Sequence, residues 1–250
     1  PNGLLPADVD GFGLPPAGAP AYFVGTSDND IGAAADAVQL YRLTVDWTPP
    51  TPTSTFTGPI TLPTASFDTV FPCTPTSRSC IPQPGTTTRL DILSYRQRPT
   101  FRLAYRNFGT YESLVTLQSV EGAAGIAGMR WWEIRDPAGT PVIHQEGTYA
   151  PGATDGIHRW MGSIAMDRDG NMALGYSVSS ATDVFPGIRY TGRLAGDTLG
   201  TMPQGEGVIV NGGGSQTTTG SRWGDYTSMN IDPTDDCTFW YTNQYYATTS

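Results

Sequence analysis

His158-Arg159-Trp160-Met161-Gly162-Ser163-Ile164-Ala165-Met166-Asp167 returns, loosened, as Ser221-Arg222-Trp223-Gly224-Asp225-Tyr226-Thr227-Ser228-Met229-Asn230-Ile231-Asp232. Trp160 and Trp223 stand 63 positions apart. Each copy runs into a turn, Arg168-Asp169-Gly170-Asn171 or Pro233-Thr234-Asp235-Asp236, and then into a second apolar run. Strand, tight turn, strand is the simplest reading of both. A third, weaker copy keeps the period: Thr100-Phe101-Arg102-Leu103-Ala104-Tyr105-Arg106, a turn at Asn107-Phe108-Gly109, then Glu112-Ser113-Leu114-Val115-Thr116-Leu117, with Ala104 and Ala165 61 apart.

Outward from these blocks, each repeat continues with an alternating, arginine- and aromatic-rich strand. It is Met129-Arg130-Trp131-Trp132-Glu133-Ile134-Arg135 in one copy and Gly187-Ile188-Arg189-Tyr190-Thr191-Gly192-Arg193-Leu194 in the other. A fourth strand follows, Pro141-Val142-Ile143-His144-Gln145-Glu146-Gly147 or Glu206-Gly207-Val208-Ile209-Val210. Four short antiparallel strands per unit, parted by Gly, Pro, Asp and Asn, describe a β-propeller blade, the surplus over the usual 40 to 50 residues lying in loops. The expected organisation is one all-β, partial β-propeller domain over 1–250. The end of one blade with long loops occupies 1–94, blades occupy 95–157 and 158–220, and a further blade starts at 221–250. Before residue 95, strands are expected at 21–25, 39–47 and 58–62, as the second to fourth of their blade. Roughly three blades fall short of the 4 to 8 that close a ring. The exposed blade faces and edges therefore call for cover, from remaining blades on another fragment or from a second copy. A two-sheet sandwich is the architectural alternative, and the 63-residue repeat argues against it.

Composition supports an all-β chain. Only 15% of the residues are charged while 30 are Gly and 21 Pro, the opposite of a helical bundle. The net charge of −9, with no lysine among the 14 basic residues, speaks against nucleic-acid binding. Apolar runs are too short for a membrane span, so membrane insertion is not expected. The opening Pro1-Asn2-Gly3 reads as a processed or trimmed piece. Cys73 and Cys80, in a Pro/Thr/Ser-rich stretch, are expected to form a disulfide, because a reactive or metal-binding pair would need nearby His or Cys companions. Such a stapled loop suits an extracellular, secreted protein. Cys237 is either a small buried hydrophobe or half of a bridge to a partner outside the chain.

The blocks 158–180 and 222–246 resemble a large set of secreted bacterial β-propeller proteins, mostly uncharacterised and distantly similar to sialidase-like propellers. The resemblance covers most of the chain and is strongest over 96–246. It implies further blades before Pro1 and a cysteine-bearing strand after Ser250, which would give Cys237 its outside partner. Sialidase-like propellers carry a Ser-x-Asp-x-Gly-x-Thr-Trp turn between the third and fourth strands of a blade. Residues 232–239 keep only the end of that pattern, residues 167–171 are shorter than it, and both lie between first and second strands.

Propeller ligands bind near the axis, on loops that lead into the innermost strand and loops that join the second strand to the third. Here those are 149–158, 211–222, 179–187 and 121–128, and His158, Arg159, Arg189 and Arg222 converge on them as candidate ligand-binding residues. A sialidase would use arginines as a carboxylate clamp, with a tyrosine nucleophile and an acid, and Asp225 and Tyr226 are the candidates for that chemistry. Arg-Trp at matching positions of successive units is equally what a structural repeat produces. His144 and His158 are the only histidines and lack the companions that zinc needs. Asp167, Asp169 and Asn171, and separately Asp232, Asp235 and Asp236, offer oxygen ligands for calcium, or else cap turns. No other cofactor is expected. Six Trp and 12 Tyr invite glycan stacking, although most should fill the spaces between blades. The leading expectation is an extracellular scaffold or binding module for cell surface, matrix or glycan in a larger assembly. The alternatives are a sialidase-like glycoside hydrolase and a filament or assembly subunit.

Overall fold

A computed structural model of the chain describes residues 3–69, 77, 79–92, 98–123 and 125–250. Strands hold 49% of the residues and helices 3%, so the chain is all-β. Among the described residues no helix is long and apolar enough to cross a membrane.

The strands fall into a series of antiparallel meanders. Unit one comprises β1 (Leu5–Asp10), β2 (Ala21–Ser27), β3 (Ala37–Asp46) and β4 (Thr53–Pro63). A small ladder, β5 (Ser79–Ile81) with β6 (Leu90–Asp91), separates it from unit two. Unit two is β7 (Thr100–Asn107), β8 (Glu112–Ala123), β9 (Ile126–Arg135) and β10 (Val142–Tyr149). The short helix α1 (Gly152–Asp155) leads into unit three, β11 (His158–Met166), β12 (Met172–Ser179), β13 (Gly187–Arg193) and β14 (Glu206–Val210). Unit four contributes β15 (Ser228–Ile231) and β16 (Phe239–Thr242).

Within each unit neighbouring strands pair in chain order. Beside the late start of β15 at Ser228, which leaves the Arg222-Trp223 block expected in that strand ahead of it, three departures from the sequence reading appear. Unit one has a fourth strand, β1, ahead of the three expected ones; its Leu5-Pro-Ala-Asp-Val-Asp sequence, short and broken by a proline, hides it. β1 also does double duty. Leu5 and Pro6 pair antiparallel with β2, while Ala7 to Asp10 pair in parallel with Leu103 to Arg106 of β7. Units one and two thereby fuse into one curled eight-stranded sheet, where two separate four-stranded blades were expected. The third departure is at 121–128, read as a ligand loop: Glu121 pairs with Ala127 and Ala123 with Ile126, so β8 and β9 extend almost to their turn.

The period-two alternation of these strands buries both faces, and successive cores result. On β9, Trp132 and Ile134 point into a cluster with Val24, Leu40 and Tyr105, between units one and two. Their neighbours Met129 and Trp131 point the other way, into a cluster with Ile164, Leu174 and Tyr176 of unit three. A third, smaller cluster joins Ala165 of unit three to Met229 and Ile231 of unit four. Truncating either tryptophan of β9 to alanine would cost about 3–5 kcal/mol. The first strands of the units stand side by side: β1 beside β7, β11 against β7, and β15 against β11.

Candidate functional site

Where these first strands begin, one segment from every unit meets in a small cleft of about 160 Å³. It is lined by Leu4 and Leu5 at the start of β1, Arg98 to Phe101 at the start of β7, Met161 in β11, and Gly224, Asp225 and Thr227 ahead of β15. The volume is below the several hundred Å³ of a drug-sized pocket. It suits a single ring or the tip of a longer ligand. Two non-glycine residues close by adopt left-handed backbone: Met161 with φ 49° and Ser221 with φ 47°. Met161 sits where the β11–β12 register shifts, and its amide donates to Ser119 Oγ at 2.9 Å. A Cβ on Gly224 would come within 2.8 Å of Met161 Cβ, so the cleft wall needs glycine there. Such strain concentrates at ligand sites because surrounding packing must hold it in place.

One of the expected chemical candidates, Asp225, lines the cleft, and the other, Tyr226, follows it in sequence. Arg222 pairs with Asp225, their side chains 59% and 10% exposed, so the carboxylate is held by a neighbour three residues away. Tyr226, between two lining residues in sequence, is 87% exposed, and Phe101 is 49% exposed. β5 and β6 support the same corner: Asp91 N–H donates to Ser221 O at 2.7 Å, and the Ser79 and Ser221 hydroxyls lie 2.9 Å apart.

The other expected ligand-binding residues form a separate, buried network. Arg159, whose side chain is 1% exposed, donates to Glu206 at 2.7 and 3.0 Å, to Asp155 at 2.7 and 3.2 Å, and to the Ile157 carbonyl at 2.8 Å. Arg189 donates to Glu206 Oε2 at 2.7 Å and Tyr176 to Oε1 at 2.7 Å. The carboxylate clamped by Arg159 and Arg189 is thus the protein's own. Burial alone would raise the Glu206 pKa, but hydrogen bonds from Arg159, Tyr176 and Arg189 outweigh it and hold the group below the usual carboxylate range. His158 is buried and its Nδ1 accepts from Ala127 N–H at 3.2 Å. Burial, then the charges of Arg89 and Arg159, push its pKa down to about 4, so it is neutral at pH 7.

The two acidic turns, separate in sequence, are neighbours in space: Arg168 N–H donates to Asp236 O at 3.0 Å. Their carboxylates are largely spoken for. Asp167 accepts from the amides of Asp169 and Asn171 and from the Asn171 side chain. Asp232 accepts from Thr234 N–H and from Trp240 Nε1. Asp235 accepts from Thr238 and from Cys237 N–H, which take its pKa down to about 2. Asp236 accepts bidentately from buried Arg106. Turn geometry and an ion pair account for these acids. Asp167, Asp169 and Cys237 do approach one another within 4.8 Å, but a thiol in the set is foreign to calcium's all-oxygen preference. Cys237 is a free, partly buried thiol. The expected Cys73–Cys80 bridge involves Cys73, which lies outside the described residues; Cys80 is buried.

Glu206, Asp155 and Tyr176 carry the network and were not singled out from sequence, nor were Arg98 and Phe101 at the cleft. The only signal for Glu206 is its place in a repeated Glu-Gly pair, Glu146-Gly147 and Glu206-Gly207. Comparison with protein families, curated proteins and solved structures finds no match to the chain.

Proposed function

We propose that the chain is the blade-forming part of an extracellular β-propeller that works as a non-catalytic binding scaffold, with a glycan held at the axial cleft. The blade reading is supported by the side-by-side first strands and by the chain-order meanders stacked through successive apolar cores. One observation carries the functional reading. The cleft at which all four units meet offers an exposed aromatic face, Phe101, and is bordered in sequence by exposed Tyr226, next to its lining residue Asp225, whose carboxylate is already paired with Arg222. Aromatic faces pack on sugar C–H groups, and the Asp225 carboxylate is already engaged by Arg222. Arg159, held by Glu206, Asp155 and the Ile157 carbonyl, and Arg189, tied to Glu206 by one hydrogen bond, would have to give up a half-buried partner to clamp a substrate carboxylate. Further blades, outside the described residues, would complete the ring.

A glycan array followed by titration of the best binder tests this. Binding without turnover is expected, weakened at least tenfold by Phe101→Ala or Tyr226→Ala with the melting temperature unchanged. Hydrolysis of a fluorogenic sialoside, abolished by Asp225→Asn, would replace the scaffold with the glycosidase. Absence of binding to any glycan at millimolar concentration would remove the glycan from the proposal.

A further inference from the structure

We propose that a second cleft, at the opposite end of β7 from the axial one, binds a small zwitterion of the α-amino-acid class, its carboxylate on Arg135 and its ammonium group on Glu112. The site shares no residue with the axial cleft and stands independently of the glycan reading.

This cleft, of about 380 Å³, lies beside the turn that joins β7 to β8, with Asn107, Tyr111, Glu112, Arg135, Asp136 and Pro16 in its walls. Its size falls within the range of small-molecule sites, which the axial cleft does not reach.

Arg135, the last residue of β9, is the cationic pole, and its guanidinium is fixed from two sides. Nε donates to Glu133 Oε1 at 2.6 Å, and the fully buried Glu133 carboxylate is itself held by Gln145 Nε2 at 2.6 Å. The guanidinium carbon also lies 4.0 Å from the centre of the Tyr111 ring, in cation–π contact. Tyr111 in turn stacks on Phe108, the ring centres 4.6 Å apart and the planes 17° from parallel. Bodies this close cannot share one face of Tyr111, so its ring is sandwiched between Phe108 and Arg135. The turn holds both rings in place, because Phe108 N–H donates to Tyr111 O at 2.9 Å. Among the described residues the two terminal nitrogens of Arg135 make no hydrogen bond, and its side chain is 29% exposed. An arginine tied back at Nε and open at its end is pre-organised for bidentate recognition of a carboxylate.

The anionic pole stands one step along the same ladder. Arg135 pairs with Ser113, and Glu112 and Asp136 extend their two strands beyond that pair. Glu112 accepts from the Tyr105 hydroxyl at Oε1, while its Oε2 accepts no hydrogen bond among the described residues. Asp136, at φ 53°, accepts from Gly139 N–H at 3.1 Å and Thr140 N–H at 2.7 Å, so its turn fixes a second negative charge at the rim. Among the described residues neither acid forms an ion pair with Arg135, although all three line one cleft.

That separation of charge selects the ligand. A plain anion at Arg135 meets two carboxylates, and a plain cation at Glu112 meets a guanidinium. A molecule carrying a carboxylate and an ammonium group a few bonds apart satisfies both poles and suffers neither repulsion. Pro16 and the edge of Tyr111 leave an apolar wall for its side chain.

The test uses the intact, nitrogen-labelled chain. It is titrated with each of the common α-amino acids and, as half-ligands, with acetate and ethylammonium, up to about 10 mM, which nearly fills a site with a Kd of about 1 mM. Saturable amide shifts at Gly109 and Thr110 are expected from at least one amino acid, with acetate and ethylammonium binding roughly tenfold more weakly. Glu112→Gln, which keeps an acceptor for Tyr105, should weaken binding roughly tenfold with the melting temperature unchanged. Arg135→Lys, which keeps the charge and loses the fork, should do the same; if loss of the Glu133 bond unfolds it, Glu112→Gln decides alone. Acetate binding as tightly as the best amino acid would overturn the zwitterion. An absence of saturable shifts with every amino acid, or shifts undiminished in Glu112→Gln, would overturn the site.

Discussion

Glu206→Gln is the sharpest test of the claim that the arginines of unit three are structural. The substitution keeps the shape of the side chain and removes its charge, leaving Arg159 with Asp155 and stripping Arg189 of its carboxylate partner. Breaking a buried pair from one side costs about 3–5 kcal/mol. Asp155 still faces Arg159, and the Glu206 side chain retains 17% exposure, so the low end, about 3 kcal/mol, applies here. For a chain of this size each kcal/mol moves the melting temperature by about 2–4 °C, which makes the expected drop roughly 6–12 °C at pH 7. The pH dependence adds a second signature. The folded-state pKa of Glu206 is depressed, so its contribution is present above the unfolded value near 4.3 and is lost as pH falls through the lower folded value. The variant should therefore lose its deficit relative to wild type as pH drops below about 4. Calorimetry of both proteins from pH 7 to 3 makes the comparison. A drop of under 2 °C at pH 7 would refute the buried lock and return Arg159 and Arg189 to the pool of ligand-binding residues.

Other perturbations probe the remaining joints. His158, neutral when folded with a pKa near 4, binds its proton more readily when unfolded. Stability should fall as pH drops from about 6.5 to 4, by roughly 3 kcal/mol at most, and His158→Gln should flatten that part of a urea-midpoint profile. Gly147→Val drives a side chain into the Gly200 carbonyl, so a loss of about 1–3 kcal/mol and a red shift in Trp131 emission are expected. Asp236→Ala strands Arg106, whose side chain is 5% exposed, and should cost about 3–5 kcal/mol by urea unfolding. Millimolar calcium should leave the melting temperature within 1 °C, since the turn acids already accept protein hydrogen bonds; a larger rise would restore the calcium reading of Asp167, Asp232 and Asp235.

Local pattern made the strands of units two and three legible in advance. The first Arg-Trp block, the alternation of β9 and β13, and the Asp, Asn and Gly turns lie within a few residues of one another, so backbone preference and period-two burial suffice to place β7 to β14, whereas the second Arg-Trp block lies ahead of β15 and did not mark its start. β1 escaped because Pro6 and two aspartates mask its alternation, and its partner in β7 lies almost a hundred residues away. The network around Glu206 escaped for a related reason. Arg159 and Glu206 are 47 positions apart, and nothing in either neighbourhood announces that β11 and β14 turn these side chains toward each other. Sequence spacing records which groups a strand can offer to each face. Which offered charges meet, and whether Arg159 reaches a ligand or a carboxylate of its own chain, depends on how the meanders stack, because a buried guanidinium takes the nearest desolvated anion and that neighbour is chosen by packing.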